Sequence, residues 1–267
     1  MQHTISRLVV VGDSIAEGLD DRWPDSESYR GWADLVAARL ARDRPELEYA
    51  NLAVRGKRLD QIAREQFDRA LAARPDMIAL FGGVNDLLQR GHRPAVIEAR
   101  VDDAVARLIA GCPLVVVFTV GDVSRQTPML RALRSRLAAL NTAVRRAAAA
   151  HGAVVVDLEH LVGMNDLRYF GADRFHLSAA GHRRVAAEVL RAIGVAADPR
   201  WGAPLDGEPV VPDWRSHLGW VRRQVVPTVR SRIRNVVVGR TPGDGFSAKR
   251  PVLTRVYRSS TDLTPAS

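Results

Sequence analysis

Five residues in this 267-residue chain have side chains or backbone groups suited to acyl chemistry, and each follows a short apolar run. Gly12-Asp13-Ser14 comes directly after Leu8–Val11. A serine at such a strand-to-helix turn presents its hydroxyl at the edge of a sheet, and its backbone N–H points toward the same space. The hydroxyl is a weak nucleophile until a neighbouring imidazole accepts its proton. Asp173-Arg174-Phe175-His176 supplies that group. An aspartate three residues ahead of a histidine on a tight loop can accept the ring Nδ1–H, which fixes the tautomer and leaves Nε2 for the serine proton. Asn85, in Gly82-Gly83-Val84-Asn85-Asp86, offers a neutral amide donor suited to a developing oxyanion. Gly56, in Asn51-Leu52-Ala53-Val54-Arg55-Gly56, allows close backbone approach and an unobstructed N–H. Taken singly these residues also read as an N-cap serine, an exposed loop histidine, an Asn-Asp turn and a turn glycine.

The elements that carry them repeat. Leu8–Val11, Leu47–Ala53, Met77–Phe81, Leu114–Val120 and Ala153–Val156 are unbroken, β-branched-rich runs bounded by Gly, Pro or Asp, as in strands buried on both faces. Helical patterns alternate with them over Tyr29–Arg42, Leu59–Ala73, Pro94–Ala110, Pro128–His151 and Ser178–Ile193, the last with Ser178 as N-cap. Five βα units in series predict an α/β fold, a three-layer α/β/α sandwich around a five-stranded parallel sheet. In such sheets ligands bind at the carboxyl ends of the strands, where all of these segments fall.

Read together, the four segments resemble the SGNH, or GDSL, hydrolase family. Its serine, glycine, asparagine and histidine match Ser14, Gly56, Asn85 and His176, and Leu177-Ser178-Ala179-Ala180-Gly181-His182 is similar to the family's entry into its last helix. The resemblance spans about residues 5–195. It implies a flavodoxin-like sandwich and a GDSL-type esterase that hydrolyses acyl esters, short-chain or acetyl esters among them, through an acyl-enzyme. By the same resemblance Ser14 is the nucleophile, His176 the general base and then acid, and Asp173 the group that orients His176. The Ser14 and Gly56 N–H groups and the Asn85 side chain would form the oxyanion hole. No metal or organic cofactor is required, and the sequence carries no zinc-ligand spacing, Rossmann glycine triplet or phosphate loop.

Other polar residues compete for these roles. His160 also follows a strand, His182 lies on the last helix and reads as structural, and Asp13 reads as fixing the turn beside Ser14. Asp86 reads as a cap, and Asp122 sits at the pocket edge without an assigned role. The loop Ile15–Arg30 carries Glu17, Asp20, Asp21, Asp25 and Glu27, which disfavour anionic substrates unless Arg22 and Arg30 compensate. Small-molecule esters and acylated carbohydrates fit equally, so lipase, thioesterase and carbohydrate O-acetylesterase activities are not separated.

Composition excludes several classes. A hydrophobic content of 46% and a charged content of 26% are ordinary for a globular protein. The single cysteine, Cys112, excludes an internal disulfide and any CxxC motif and reads as a buried small residue. The net charge is +9, with only Lys57 and Lys249 as lysines. Residues 198–267 carry +6 of it, so the expected catalytic domain, 1–197, is nearly neutral. No nucleic-acid module accompanies the charge. No leader or membrane span is evident, and a cytoplasmic location is the expectation.

Residues 198–267 are expected to form a linker and a basic C-terminal helical extension. Apolar residues at 214, 218, 221, 225, 229, 233 and 236 have helical spacing, with a break at Pro227, and residues 240–267 read as extended or partly disordered. The stripe Trp214, Leu218, Val221 and Val225 is expected to pack on the α/β domain, and the alternative is a membrane surface bound by the basic helix. Beside the esterase stand two other readings, a hydrolase fold kept as a binding module and a membrane-surface protein governed by its tail.

Overall fold

The computed structural model describes residues 4–23, 26–89, 91, 93–122, 128–164, 166–211, 218–225 and 243–256. The apolar runs form strands β1 (Arg7–Gly12), β2 (Glu48–Asn51), β3 (Met77–Phe81), β4 (Leu114–Phe118) and β5 (Val154–Val156). β3 and β4 are buried at every residue, the pattern of strands covered on both faces. The helices are α1 (Ser14–Glu17), α2 (Gly31–Asp43), α3 (Leu59–Ala72), α4 (Val84–Leu87), α5 (Pro94–Ile109), α6 (Arg134–His151), α7 (Ala179–Ala192) and α8 (Pro199–Gly202). With a sixth strand, β6 (Arg250–Arg255), the sheet runs β5-β4-β3-β1-β2-β6 with its first five members parallel, and helices cover both sides. α3, α5 and α6 pack in succession, and α2 packs on α7.

The expected sheet of five parallel strands is corrected to six. β6 (Arg250–Arg255) pairs antiparallel with β2, with Glu48 opposite Arg255 and Asn51 opposite Arg250. Its sequence hides the pairing, because most of its residues are exposed and Pro251 breaks the pattern. Both features are tolerated on an edge strand, where half of the backbone groups face no partner.

Some boundaries also move. The helix expected from Tyr29 begins at Gly31, whose N–H is taken by Asp21 Oδ2 at 3.1 Å. The pattern Pro128–His151 opens as a 3-10 turn, Pro128–Leu133, before α6. Ser178 caps α7 as expected and accepts the Gly181 N–H at 3.3 Å. Cys112 is buried. In the extension, Leu218–Trp220 is helical and Val221–Val225 makes a π turn. Leu218 does not pack on the domain. It is 64% exposed, while Trp220, which the stripe left out, is buried with Arg174 5.4 Å from its ring. Val221 is half-buried, and Trp214, Val229, Ile233 and Val236, with Pro227, lie outside the described residues. Among the described residues no helix is long and apolar enough to cross a membrane.

The core sits on an aromatic cluster beneath the strand ends. Phe81 stacks on Phe118 with centroids 4.5 Å apart, and Trp32 lies 4.9 Å from Phe118. The Trp32 indole N–H donates to Ile15 O at 3.0 Å, so the core reaches the residue after Ser14. His182 completes this wall, fully buried. It accepts the Trp32 backbone N–H on Nδ1 at 3.2 Å and donates Nε2–H to Leu19 O at 2.9 Å. Burial disfavours its charged form and lowers its pKa to about 4.

The unfolded chain therefore binds a proton at His182 that the folded chain refuses. Stability from this residue is complete above the ordinary value of 6.5 and falls as pH drops toward 4, by about 3 kcal/mol at most. Urea unfolding across this range should show a shallower pH dependence in His182→Gln than in wild type. Parallel slopes would remove His182 from the acid response.

Candidate active site

The end of β1 is the foundation of the site. Gly12 has φ 148°, and a Cβ there would lie 2.1 Å from Phe81 O, so only glycine lets β1 and β3 approach this closely. Gln66 of α3 satisfies both Gly12 backbone groups. Its Oε1 accepts the N–H at 2.8 Å, and its Nε2 donates to the carbonyl at 3.0 Å. Asp13 then donates its N–H to Phe81 O at 3.1 Å and caps α1 by accepting the Ile15 N–H at 3.3 Å. Ser14 begins α1 in a buried position.

His176 reaches Ser14 from the loop before α7. Ser14 Oγ lies 2.8 Å from His176 Nε2, and His176 Nδ1 lies 2.5 Å from Asp173 Oδ2. An ionised carboxylate only accepts, so the proton belongs on Nδ1, and the serine hydroxyl donates to Nε2. The loop is preorganised. Arg174 adopts a left-handed φ of 58°, and the tight turn lets Asp173 Oδ1 accept the N–H groups of Phe175 and His176, both at 2.9 Å.

Electrostatics act in opposite directions on His176. Burial opposes its charged form, but the Asp173 hydrogen bond and the charges of Asp173, Asp20 and Asp13 together raise its pKa above 6.5. Asp173 is also partly desolvated, yet its hydrogen bonds and the His176 charge hold it below the usual carboxylate range. Burial raises Asp13 to about 7.

The remaining expected site residues meet through one loop. Asn85 Nδ2 donates to Asp13 Oδ2 and to Lys57 O, both at 3.1 Å. Asn85 thus ties the Ser14 turn to the loop that carries Gly56. With both amide hydrogens engaged, it can donate to a ligand only by exchanging one of these bonds. Gly56 has φ 75°, a conformation that strains any side-chain-bearing residue. Arg55 before it is locked to buried Glu17. Its N–H donates to Glu17 Oε2 at 2.8 Å, and its guanidinium forms an ion pair with the same carboxylate. Asp86 accepts the Leu59 N–H at 2.9 Å, the capping role expected of it.

The competitors separate from this centre. His160 is exposed and bonds Asp157 Oδ2 at 3.0 Å, beside Arg145. Asp122 pairs with Arg134 at 3.0 Å. Asp122 and His160 both line a cavity of about 560 Å³, whose wall includes Ile15, Phe81, Leu137, Leu158 and Phe175. Ile15 follows Ser14 and Phe175 precedes His176, so the cavity lies next to the polar chain. Spacing did not reveal Gln66, Glu17 or Asp20, because each acts on residues distant in the chain or across a loop.

Two groups of side chains cluster in the manner of metal ligands among the described residues. Asp20, Asp173 and His176 place one potential ligand atom each within 4.8 Å, as do Asp157, Glu159 and His160. In the first, both ring nitrogens of His176 are already committed to Ser14 and Asp173. In the second, the Arg145 guanidinium bonds both carboxylates. Neither arrangement fits a cation without losing these bonds.

A profile of the GDSL-like Lipase/Acylhydrolase family matches residues 10–184. None of the curated proteins compared with the chain matches it. Among solved structures, LAE5, an alpha/beta hydrolase enzyme from the metagenome of Lake Arreo, Spain, is 24% identical. The match covers 74% of this chain and all of that one, with a TM-score of 0.60. Axe2, an acetylxylan esterase from Geobacillus stearothermophilus, is 20% identical over 74% of this chain and 100% of its own, with a TM-score of 0.58. A lipase/acylhydrolase from Enterococcus faecalis is 22% identical over 71% and 95%, with a TM-score of 0.57. Fold, strand-end segments and family profile converge, and the chain belongs to the GDSL-like lipase/acylhydrolase family as a GDSL-type esterase.

Proposed function

We propose that the chain hydrolyses acyl esters of small molecules or acylated carbohydrates through an acyl-enzyme on Ser14. The observation that carries this reading is the continuous chain from Ser14 Oγ through His176 to Asp173, with steps of 2.8 and 2.5 Å. His176 Nε2 takes the hydroxyl proton as Oγ bonds to the ester carbonyl carbon. The same proton then goes to the departing alcohol as the C–O bond breaks. Water, deprotonated by His176, repeats the sequence on the acyl-enzyme and releases the acid and Ser14. Asp173 stays ionised and holds the ring in one tautomer. The Ser14 and Gly56 N–H groups are assigned to the oxyanion, with Asn85 exchanging one of its bonds to join them.

The cavity beside Ile15 and Phe175 is assigned to the acyl group. Its volume of about 560 Å³ lies within the range of small-molecule sites, and apolar side chains form much of its wall. The fold likeness to an acetylxylan esterase supports testing acetylated sugars alongside simple acyl esters.

A fluorophosphonate probe should label wild type at one site and fail to label Ser14→Ala, which should also lose ester turnover by at least about 10³-fold. Equal turnover by the variant would remove Ser14 from the reaction. An unlabelled, inactive wild type would favour a binding module.

The imidazole must be neutral to act as base, so kcat/KM should fall on the acid side with a midpoint above 6.5. Asp20→Asn removes one charge that favours the protonated ring. Its acid limb should therefore move to lower pH, by less than about one unit. A superimposable profile would show that Asp20 does not act on His176.

Leu137→Trp places bulk in the cavity. Its kcat/KM should fall about tenfold more for nitrophenyl octanoate than for the acetate. The same loss along the whole chain-length series would mean that the acyl group lies elsewhere.

A further inference from the structure

Residues 243–256 lie beyond the span matched by the family profile, yet they touch the loop that carries Gly56. We propose that this C-terminal segment belongs to the catalytic unit, with Phe246 and Gly243 positioning the Arg55–Gly56 peptide so that its N–H faces the oxyanion. This rests on the oxyanion role assigned above to Gly56.

The argument begins with one peptide plane. The Arg55 carbonyl and the Gly56 N–H belong to the same planar unit and point in opposite directions, so whatever fixes the carbonyl oxygen also aims the N–H. The tail lies against that oxygen. A Cβ added to Gly243 would fall 2.7 Å from Arg55 O and 3.0 Å from Lys57 Cε, closer than a side-chain carbon can sit without movement of the loop. The tail therefore contacts the residues on both sides of Gly56. Lys57 is also the residue whose carbonyl accepts from Asn85, so the same contact bears on both expected donors.

Phe246 acts on the side chain of the same residue. The Arg55 guanidinium carbon lies 4.5 Å from the Phe246 ring centroid and 5.0 Å from that of Tyr29. A guanidinium held by aromatic rings keeps its charge while its carboxylate partner is desolvated. That partner is Glu17, 4% exposed, at the end of the helix that begins with Ser14. Phe246 thus supports the ion pair that joins the Gly56 loop to the Ser14 helix. Phe246 is half exposed, so its contribution is this contact rather than core packing.

The segment is anchored firmly enough for this role. Lys249 Nζ donates to Tyr29 O at 3.0 Å and to Arg30 O, and lies 2.5 Å from Asp34 Oδ2. Both side chains of that ion pair are 13% exposed. β6 then continues along β2, and Val256 donates its N–H to Leu47 O at 3.1 Å. Gly243 and Phe246 lie in the segment that leads into this strand.

The test uses the full chain with nitrophenyl acetate. Phe246→Ala and Gly243→Ala should each lower kcat about tenfold with KM within about twofold, because an oxyanion donor is misaimed while ground-state binding is kept. Phe246→Tyr, which retains the ring, should restore the wild-type kcat. Unchanged kcat in both alanine variants would overturn the proposal. So would a loss carried by KM, or a loss that Phe246→Tyr shares together with a lowered Tm. Ser14→Ala separates the two levels of inference. If it is inactive, the tail variants report on positioning alone. If it retains turnover, the oxyanion reading fails and the positioning role fails with it.

Discussion

The site depends on the close approach of β1 and β3 at Gly12. No side chain fits there, and the buried Gly12 N–H would lose its acceptor without Gln66, which also donates to the Gly12 carbonyl. That one contact lets β1 end beneath a helix turn, so Ser14 emerges at the sheet edge with a fixed direction. Val54 donates to Gly12 O at 3.2 Å and Asp13 donates to Phe81 O, so the ends of β1 and β3 and the loop after β2 meet at this point. The glycine and asparagine loops take their positions relative to Ser14 from this junction.

Around it the protein buries several charged and polar groups. Asp13, Glu17, Asp86 and His182 are each 4% exposed or less. Each has its partners: Asp13 the Ile15 N–H and Asn85, Glu17 the Arg55 backbone and guanidinium, Asp86 the Leu59 N–H and Arg100, His182 two backbone groups. Satisfied networks of this kind resist deformation, since breaking any bond leaves a desolvated group unpaired. The loops that carry Ser14, Gly56 and Asn85 are therefore held by polar bonds as well as by the apolar packing of Ile15, Ala53 and Val84. The apolar cavity begins where the network ends, at Ile15 and Phe175.

Much of this was legible in the residues. Buried parallel strands announce themselves as unbroken apolar runs, and the helices between them by their period and by caps such as Ser178. Ser14 and Asn85 were found because they follow a strand directly, and Asp173 and His176 by their spacing in the loop before α7. The structure joins Ser14, His176 and Asp173 by hydrogen bonds and ties Asn85 to Asp13 and the Gly56 loop. β6 was not legible, because an exposed edge strand containing proline has no pattern that separates it from a loop. Trp220 was missed for a related reason. Arg174, over forty residues earlier, lies over its ring, a contact that no stripe on its own helix encodes.

The division follows the range of the forces. Local sequence determined what short-range physics governs: which segments become strands and helices, where they stop, and which reactive residues stand at their carboxyl ends. Only the tertiary structure decided which distant groups satisfy those residues. Gln66 on Gly12, Glu17 on Arg55, Asp20 near His176 and Gly243 on the Arg55 carbonyl are contacts that no periodicity encodes. They arise when burial strips polar groups of water and each must find a partner wherever the folded chain supplies one.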